Sequence, residues 1–208
     1  MPLALGAPSA VVFDLGGVLV AWDPRHLYRK LIPDETALEA FLGSVCTDEW
    51  NAQQDAGRST ADGTDDLVTQ FPEHEDLIRA YYGRWIEMVP GPIDGAESLI
   101  RDLKKAGVPL LGLSNCAQET FETACEAYPF LNLFDDWVVS AREKVMKPDP
   151  EIYRIVTGRS GYAPHQLVFV DDRIENVEGA RSQGWQGHHF KEASLLRNEL
   201  ASFGLLAG

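Results

Sequence analysis

Four short stretches of this 208-residue chain carry side chains that could act together chemically. Asp14 ends the run VVFD and is followed by Leu15, Gly16 and Gly17. Ser114 and Asn115 end LLGLSN, Lys147 opens KPDP, and Asp171 and Asp172 end VFVDD, with Asn176 shortly after them. Asp14 with one or both of Asp171 and Asp172 offers hard oxygen ligands of the kind that hold Mg²⁺ beside waters and a substrate oxygen. Two adjacent carboxylates repel each other unless a cation lies near them. The Ser114 hydroxyl can donate to a bound anion, and Lys147 supplies a fixed positive charge. Gly16 and Gly17 let the backbone approach a ligand and expose its amides. Such a set suits a dianion held through a metal, and so phosphoryl transfer. Taken singly, each residue has a plainer reading as a turn residue, a helix cap or a solvated lysine.

What joins them is the position of each at the end of an apolar run. Residues 10–14, 108–113, 137–140 and 167–171 are near-continuous and rich in branched side chains, with a weaker fifth run at 187–190. Strands covered by helices on both faces read this way. Helical patterns follow at 94–106, 117–128, 149–157 and 175–183; the first opens on an acidic cap residue, Asp94, and ends at Gly107. The alternation predicts an α/β fold with a doubly wound parallel sheet, whose ligands bind beyond the carboxyl ends of the strands. The stretch 18–90 breaks the rhythm and reads as an inserted α-helical unit, with Pro90-Gly91-Pro92 as the return linker. The expected division is a core of 1–17 and 91–208 around an insert of 18–90.

Composition removes several function classes. Lys and Arg number 18 against 32 Asp and Glu, a net charge of −14, which repels a nucleic-acid backbone. The first ten residues, MPLALGAPSA, contain no Lys or Arg and make a poor export signal. No apolar run is long enough to span a membrane. Three cysteines with no paired spacing fit a reducing, cytoplasmic compartment. Nothing in the sequence sets an oligomeric state.

The four stretches, in this order, resemble the motifs of the haloacid dehalogenase-like (HAD) superfamily of hydrolases. The resemblance covers the whole predicted sheet unit, and the insert is similar to that family's small helical cap. DAGRST, residues 55–60, looks like the turn between cap helices. The resemblance implies a Mg²⁺-dependent phosphomonoester hydrolase acting on a small phosphorylated metabolite. In that reading Asp14 is the nucleophile that forms an aspartyl-phosphate and also binds Mg²⁺, and Ser114, with Asn115 beside it, holds the phosphoryl group. Lys147 pairs with Asp14 and the phosphoryl oxygens. Asp172 is the more direct metal ligand of its pair, and Asp171 lies in contact with the ion or behind a water. Asn176 orients a metal-bound water.

One position departs from the family pattern. Two residues after the nucleophile the family usually has an Asp that acts as general acid and base; here it is Gly16, whose carbonyl can still reach the metal. Losing that proton transfer costs about 10²–10⁴ in rate unless something replaces it. Asp23 and His26 are candidate replacements from the insert. A hexose 1-phosphate eases the problem, because an anomeric oxygen leaves readily, and it is the first substrate expectation. Some sugar-phosphate phosphatases of the superfamily resemble this motif with the same Gly.

Other readings compete. A 2-haloacid dehalogenase shares the fold and the nucleophile but resembles Ser-x-Asn where this chain has Asp171-Asp172. A phosphonatase requires a Schiff-base lysine in the cap, where Lys30 is the only lysine between 18 and 90. A catalytically weak protein that binds a phosphorylated ligand is a third. His188-His189 reads as a surface pair, Arg58 as a helix-surface charge, and Cys116 as a bystander.

Overall fold

The computed structural model describes residues 7–206, so most of the stretch read as a poor export signal lies outside the described residues. The chain begins with β1 (Ala10–Phe13). A long excursion follows: β2 (Val20–Ala21), α1 (Arg25–Tyr28), α2 (Glu35–Ser44), α3 (Asp48–Asp55), α4 (Thr60–Gln70), α5 (Glu75–Gly83) and β3 (Gly91–Pro92). Next come α6 (Ala96–Lys105), β4 (Leu110–Ser114), α7 (Gln118–Ala127), β5 (Asp136–Val139) and α8 (Ser140–Glu143). The chain closes with α9 (Pro150–Ser160), β6 (Leu167–Asp171), α10 (Ile174–Ser182), β7 (Gln186–His189) and α11 (Ala193–Ser202).

Five strands form one parallel sheet in the order β5-β4-β1-β6-β7. The apolar runs are continuous because both faces are covered. Val11 and Phe13 of β1 join one core with Val168 and Val170, beneath Leu99 and Leu103 of α6 and Phe121 of α7. Ala10 and Val12 point the other way, into a second core with Leu167, Phe169, Ile152 and Val156. A strand alternates its side chains between faces, so one short run feeds two cores. Each fully buried aliphatic side chain contributes roughly 1.5–3 kcal/mol.

The excursion begins and ends side by side. Val20 and Ala21 pair antiparallel with Pro92 and Gly91, so the expected return linker is one strand of a two-residue ladder. Helices within it start on side-chain caps: Asp34 accepts from the Ala37 N–H, Thr47 from Trp50 and Ser59 from Asp62. Each such cap is worth about 1 kcal/mol. Trp50 and Trp85 are buried there. One local expectation fails. Asp94 does not cap α6; the N-cap is Gly95, with a left-handed φ of 77° and no side-chain bond. Among the described residues, no helix is long and apolar enough to cross a membrane.

Candidate active site

The central strand of the sheet delivers Asp14 to its carboxyl end, with the strands on either side delivering Ser114 and Asp171. The Asp14 N–H donates to the Val170 carbonyl at 2.9 Å, so the strand pairing itself fixes this aspartate beside β6. Beyond it the chain turns sharply. Val20 N–H donates to Leu15 O at 3.0 Å and Gly17 N–H to Val20 O at 2.9 Å, which leaves the Gly16 carbonyl outside the turn's own bonds. Gly17 has φ +73°, and a Cβ there would stand 2.5 Å from Asp172 Oδ2. Only glycine lets the two loops meet at this distance.

Lys147 is buried at the centre of the cluster. Its Nζ lies 2.8 Å from Asp14 Oδ1, 2.7 Å from Asp171 Oδ2 and 3.0 Å from the Leu113 carbonyl, so all three ammonium donors have acceptors. Asn115 sets the lysine's backbone: its Nδ2 donates to Lys147 O at 3.0 Å, and its Oδ1 accepts from Lys147 N–H at 2.9 Å. Asp171 is fully buried and also accepts from the Arg173 N–H at 2.8 Å and from Asn176 Nδ2 at 3.1 Å on both oxygens. Asp14 Oδ1 takes a second bond from the Leu15 N–H at 2.7 Å, which leaves Oδ2 as the freer oxygen.

The charge balance is unequal. Burial pushes the Asp14 carboxyl up to about 7 against the pull of Lys147, with Asp171 adding to the rise. Burial and then Asp171 raise Asp172, which has no ion-pair partner among the described residues. Burial alone would lower Lys147, but Asp14 and Asp171 outweigh it and hold the ammonium above its usual range. Three carboxylates therefore share one lysine. Asp14, Asp171 and Asp172 each present an oxygen within 4.8 Å of the others. Hard oxygen donors this close, short of positive charge, fit Mg²⁺.

Other expected residues lie differently. Ser114 is buried at the end of β4, with Cys116 as a hydrogen-bond neighbour. Asp23 stands just before α1, its Oδ1 accepting from Arg25 N–H at 2.9 Å, and His26 rides on that helix. Neither makes a hydrogen bond or ion pair with Asp14 among the described residues, and Arg25 takes the Asp23 carboxylate. Lys30 pairs with Glu87 at 2.9 Å on the surface, which is no setting for a Schiff-base lysine. Burial raises the Cys116 thiol to about 12, so it is not a nucleophile at neutral pH. The histidines are not simply a surface pair. His188 packs inward with its Nδ1 on Glu199, while His189 Nε2 contacts the Asp172 carbonyl at 2.9 Å. Asp55, unassigned from the sequence, stands near Cys116 with its carboxyl raised to about 7 by burial.

The model of haloacid dehalogenase-like hydrolases matches residues 8–184. The chain belongs to that family. Its relatives include a sesquiterpene phosphatase of Aspergillus oryzae, 29% identical over 92% of this chain and 94% of that one. A flavin mononucleotide hydrolase of Arabidopsis thaliana is 41% identical over 67% of this chain and 75% of its own length. A HAD family enzyme of Bacteroides thetaiotaomicron shares the fold, with a TM-score of 0.71, 22% identity and coverage of 90% and 95%. That enzyme has also been solved with magnesium and inorganic phosphate. This HAD hydrolase is an enzyme with the family's parallel sheet and flanking helices.

Proposed function

We propose that this hydrolase is a Mg²⁺-dependent phosphatase of small phosphomonoesters, working through an aspartyl-phosphate on Asp14. The observation that carries the reading is Lys147, buried between Asp14 and Asp171, with Asp172 beside them and without an ion-pair partner among the described residues. The names of the Aspergillus and Arabidopsis relatives fit the same chemistry.

Asp14, Asp171, Asp172 and the Gly16 carbonyl would hold Mg²⁺, which supplies charge neutralisation for a phosphate dianion. The residues then divide the work. Asp14 attacks phosphorus, and the bond to the leaving oxygen breaks as the new P–O bond forms. Lys147 balances charge on Asp14 and on the phosphoryl oxygens, and Ser114 donates to the phosphoryl group. Water cleaves the acyl phosphate, releasing inorganic phosphate and regenerating Asp14. A carboxylate nucleophile splits one slow hydrolysis into two easier steps. Residues 18–90 act as the cap over a core of 1–17 and 91–208, admitting substrate and excluding water. A hexose 1-phosphate remains the first substrate to try, because the leaving oxygen receives no help from Gly16. The enzyme acts in the cytoplasm on a small-molecule partner.

A screen of sugar phosphates, nucleotides and flavin mononucleotide, run with Mg²⁺ and with chelator, tests this reading. Phosphate release that requires Mg²⁺ and that Asp172→Ala shifts to at least about tenfold higher Mg²⁺ is the expected result. Halide release from 2-haloacids without metal, and no phosphate release, would overturn it.

A further inference from the structure

The loop that leads from Ser114 into α7 is anchored from across the molecule by the turn after α3. Asp55 ends α3, and its carboxylate faces the N–H of Ala117, the N-cap of α7. Asp55 Oδ2 is held in turn by Asn51 Nδ2 at 3.0 Å, and Asn51 Oδ1 by the Tyr82 hydroxyl at 2.9 Å. The Asp55 carbonyl accepts from Ser140 Oγ at 2.6 Å. Ser140 is completely buried, and the same oxygen accepts the Cys116 N–H at 3.1 Å.

Thus the Cys116 and Ala117 amides, following Ser114 and Asn115, both turn to Asp55, one through Ser140 to its backbone carbonyl and one facing its carboxylate. Asn115 is tied to Lys147. Two flanking features keep the turn seated. Gly57 has φ +104°, and a Cβ there would stand 2.8 Å from the Ala141 carbonyl. Thr60 Oγ1 donates to Glu119 Oε1 of α7 at 3.0 Å.

We propose that Asp55 is a positioning residue that couples seating of the helical segment to the placement of Ser114. It acts through the Ser114–Ala117 loop and touches no reacting atom. Docking of the turn satisfies two amides of the loop that grips the phosphoryl group; an undocked turn leaves them without these partners. The inference rests on the phosphoryl-transfer reading above.

The test compares Asp55→Ala, Asp55→Asn and Ser140→Ala with the full-length wild type. Three quantities are measured: hydrolysis of p-nitrophenyl phosphate with Mg²⁺, inhibition by inorganic phosphate, and hydrogen exchange at the Cys116 and Ala117 amides. Loss of a buried hydrogen bond predicts that Asp55→Ala lowers kcat/KM about tenfold, weakens phosphate inhibition and speeds exchange at Ala117. Asp55→Asn keeps an acceptor oxygen and should recover most of both. If Asp55→Ala does not fold, Asp55→Asn is read at the Ala117 amide, and Ser140→Ala tests the link through the Asp55 backbone carbonyl at the Cys116 amide. A folded variant with wild-type kcat/KM and wild-type amide protection overturns the proposal. So does an equal loss in Asp55→Ala and Asp55→Asn with protection unchanged, since that marks a carboxylate acting chemically. A wild type inactive on every phosphomonoester overturns the reaction reading instead, and this is seen before any variant is compared.

Discussion

Lys147 Nζ lies 2.8 Å from Asp14 Oδ1 and is completely enclosed. The pair links the first strand of the sheet to the loop before α9, and it is the only cationic contact Asp14 has among the described residues. Removing the lysine would leave Asp14 and Asp171 buried together without a counter-charge. Breaking a buried pair from one side costs about 3–5 kcal/mol. Lys147→Ala should therefore lower unfolding stability by about that amount and kcat/KM by at least about 10². Urea unfolding and steady-state kinetics on one preparation check both. A stable variant with near-normal kinetics would show that the pair is incidental.

Asp55 gives a pH signature distinct from the chemistry. Burial raises its carboxyl from 3.8 to about 7, while the Ala117 N–H pulls the other way. Tyr81, Tyr82 and Cys116 face it, and each is held neutral in this range by its own raised pKa. A carboxyl that binds its proton more tightly folded than unfolded favours the native state at low pH. Its contribution is lost as pH rises from about 4 to about 7. The melting temperature of Asp55→Asn relative to wild type, in chelator, should rise between pH 5 and pH 8. A difference that stays constant across that range would contradict the shift.

Gly16 offers a gain-of-function experiment. A Cβ there would meet only Trp22 Cβ, at 3.8 Å, an ordinary contact, and the backbone is not left-handed. Gly16→Asp should thus fold and place a carboxyl where the family usually has its general acid. Alkyl phosphates, whose leaving oxygen requires a proton, should gain up to about 10² in kcat/KM. p-Nitrophenyl phosphate, whose leaving group departs as a stable anion, should gain little. An unchanged ratio between the two substrates would mean that proton donation is supplied elsewhere.

The parts of this molecule readable in advance are those set by local pattern. Ala10–Phe13 and Leu167–Asp171 show as strands because burial on both faces removes polar residues from the run, and Asp14 and Asp171 follow as strand-end residues. Lys147 was legible only as a motif; its place between two carboxylates depends on a loop folding back beneath Leu113. The surroundings of Asp23 and His26 are not legible, because nearness in sequence to Asp14 says nothing about the turn into α1, where Arg25 takes the Asp23 carboxylate. The DAGRST turn shows in the sequence, but the surroundings of Asp55 do not, because Ala117 and Ser140 are backbone and small side chains far along the chain. The Val20–Ala21 ladder with Gly91–Pro92 is too short to show a period.

The central claim is that phosphorus passes through Asp14. The direct measurement is rapid acid quench of the enzyme during turnover with Mg²⁺ and its best phosphate ester, followed by peptide mass analysis. A phosphoryl group on the peptide containing Asp14, absent together with turnover in Asp14→Asn, is the expected result. Sustained phosphate release by Asp14→Asn, or a phosphoryl group trapped on a different side chain, would contradict the account.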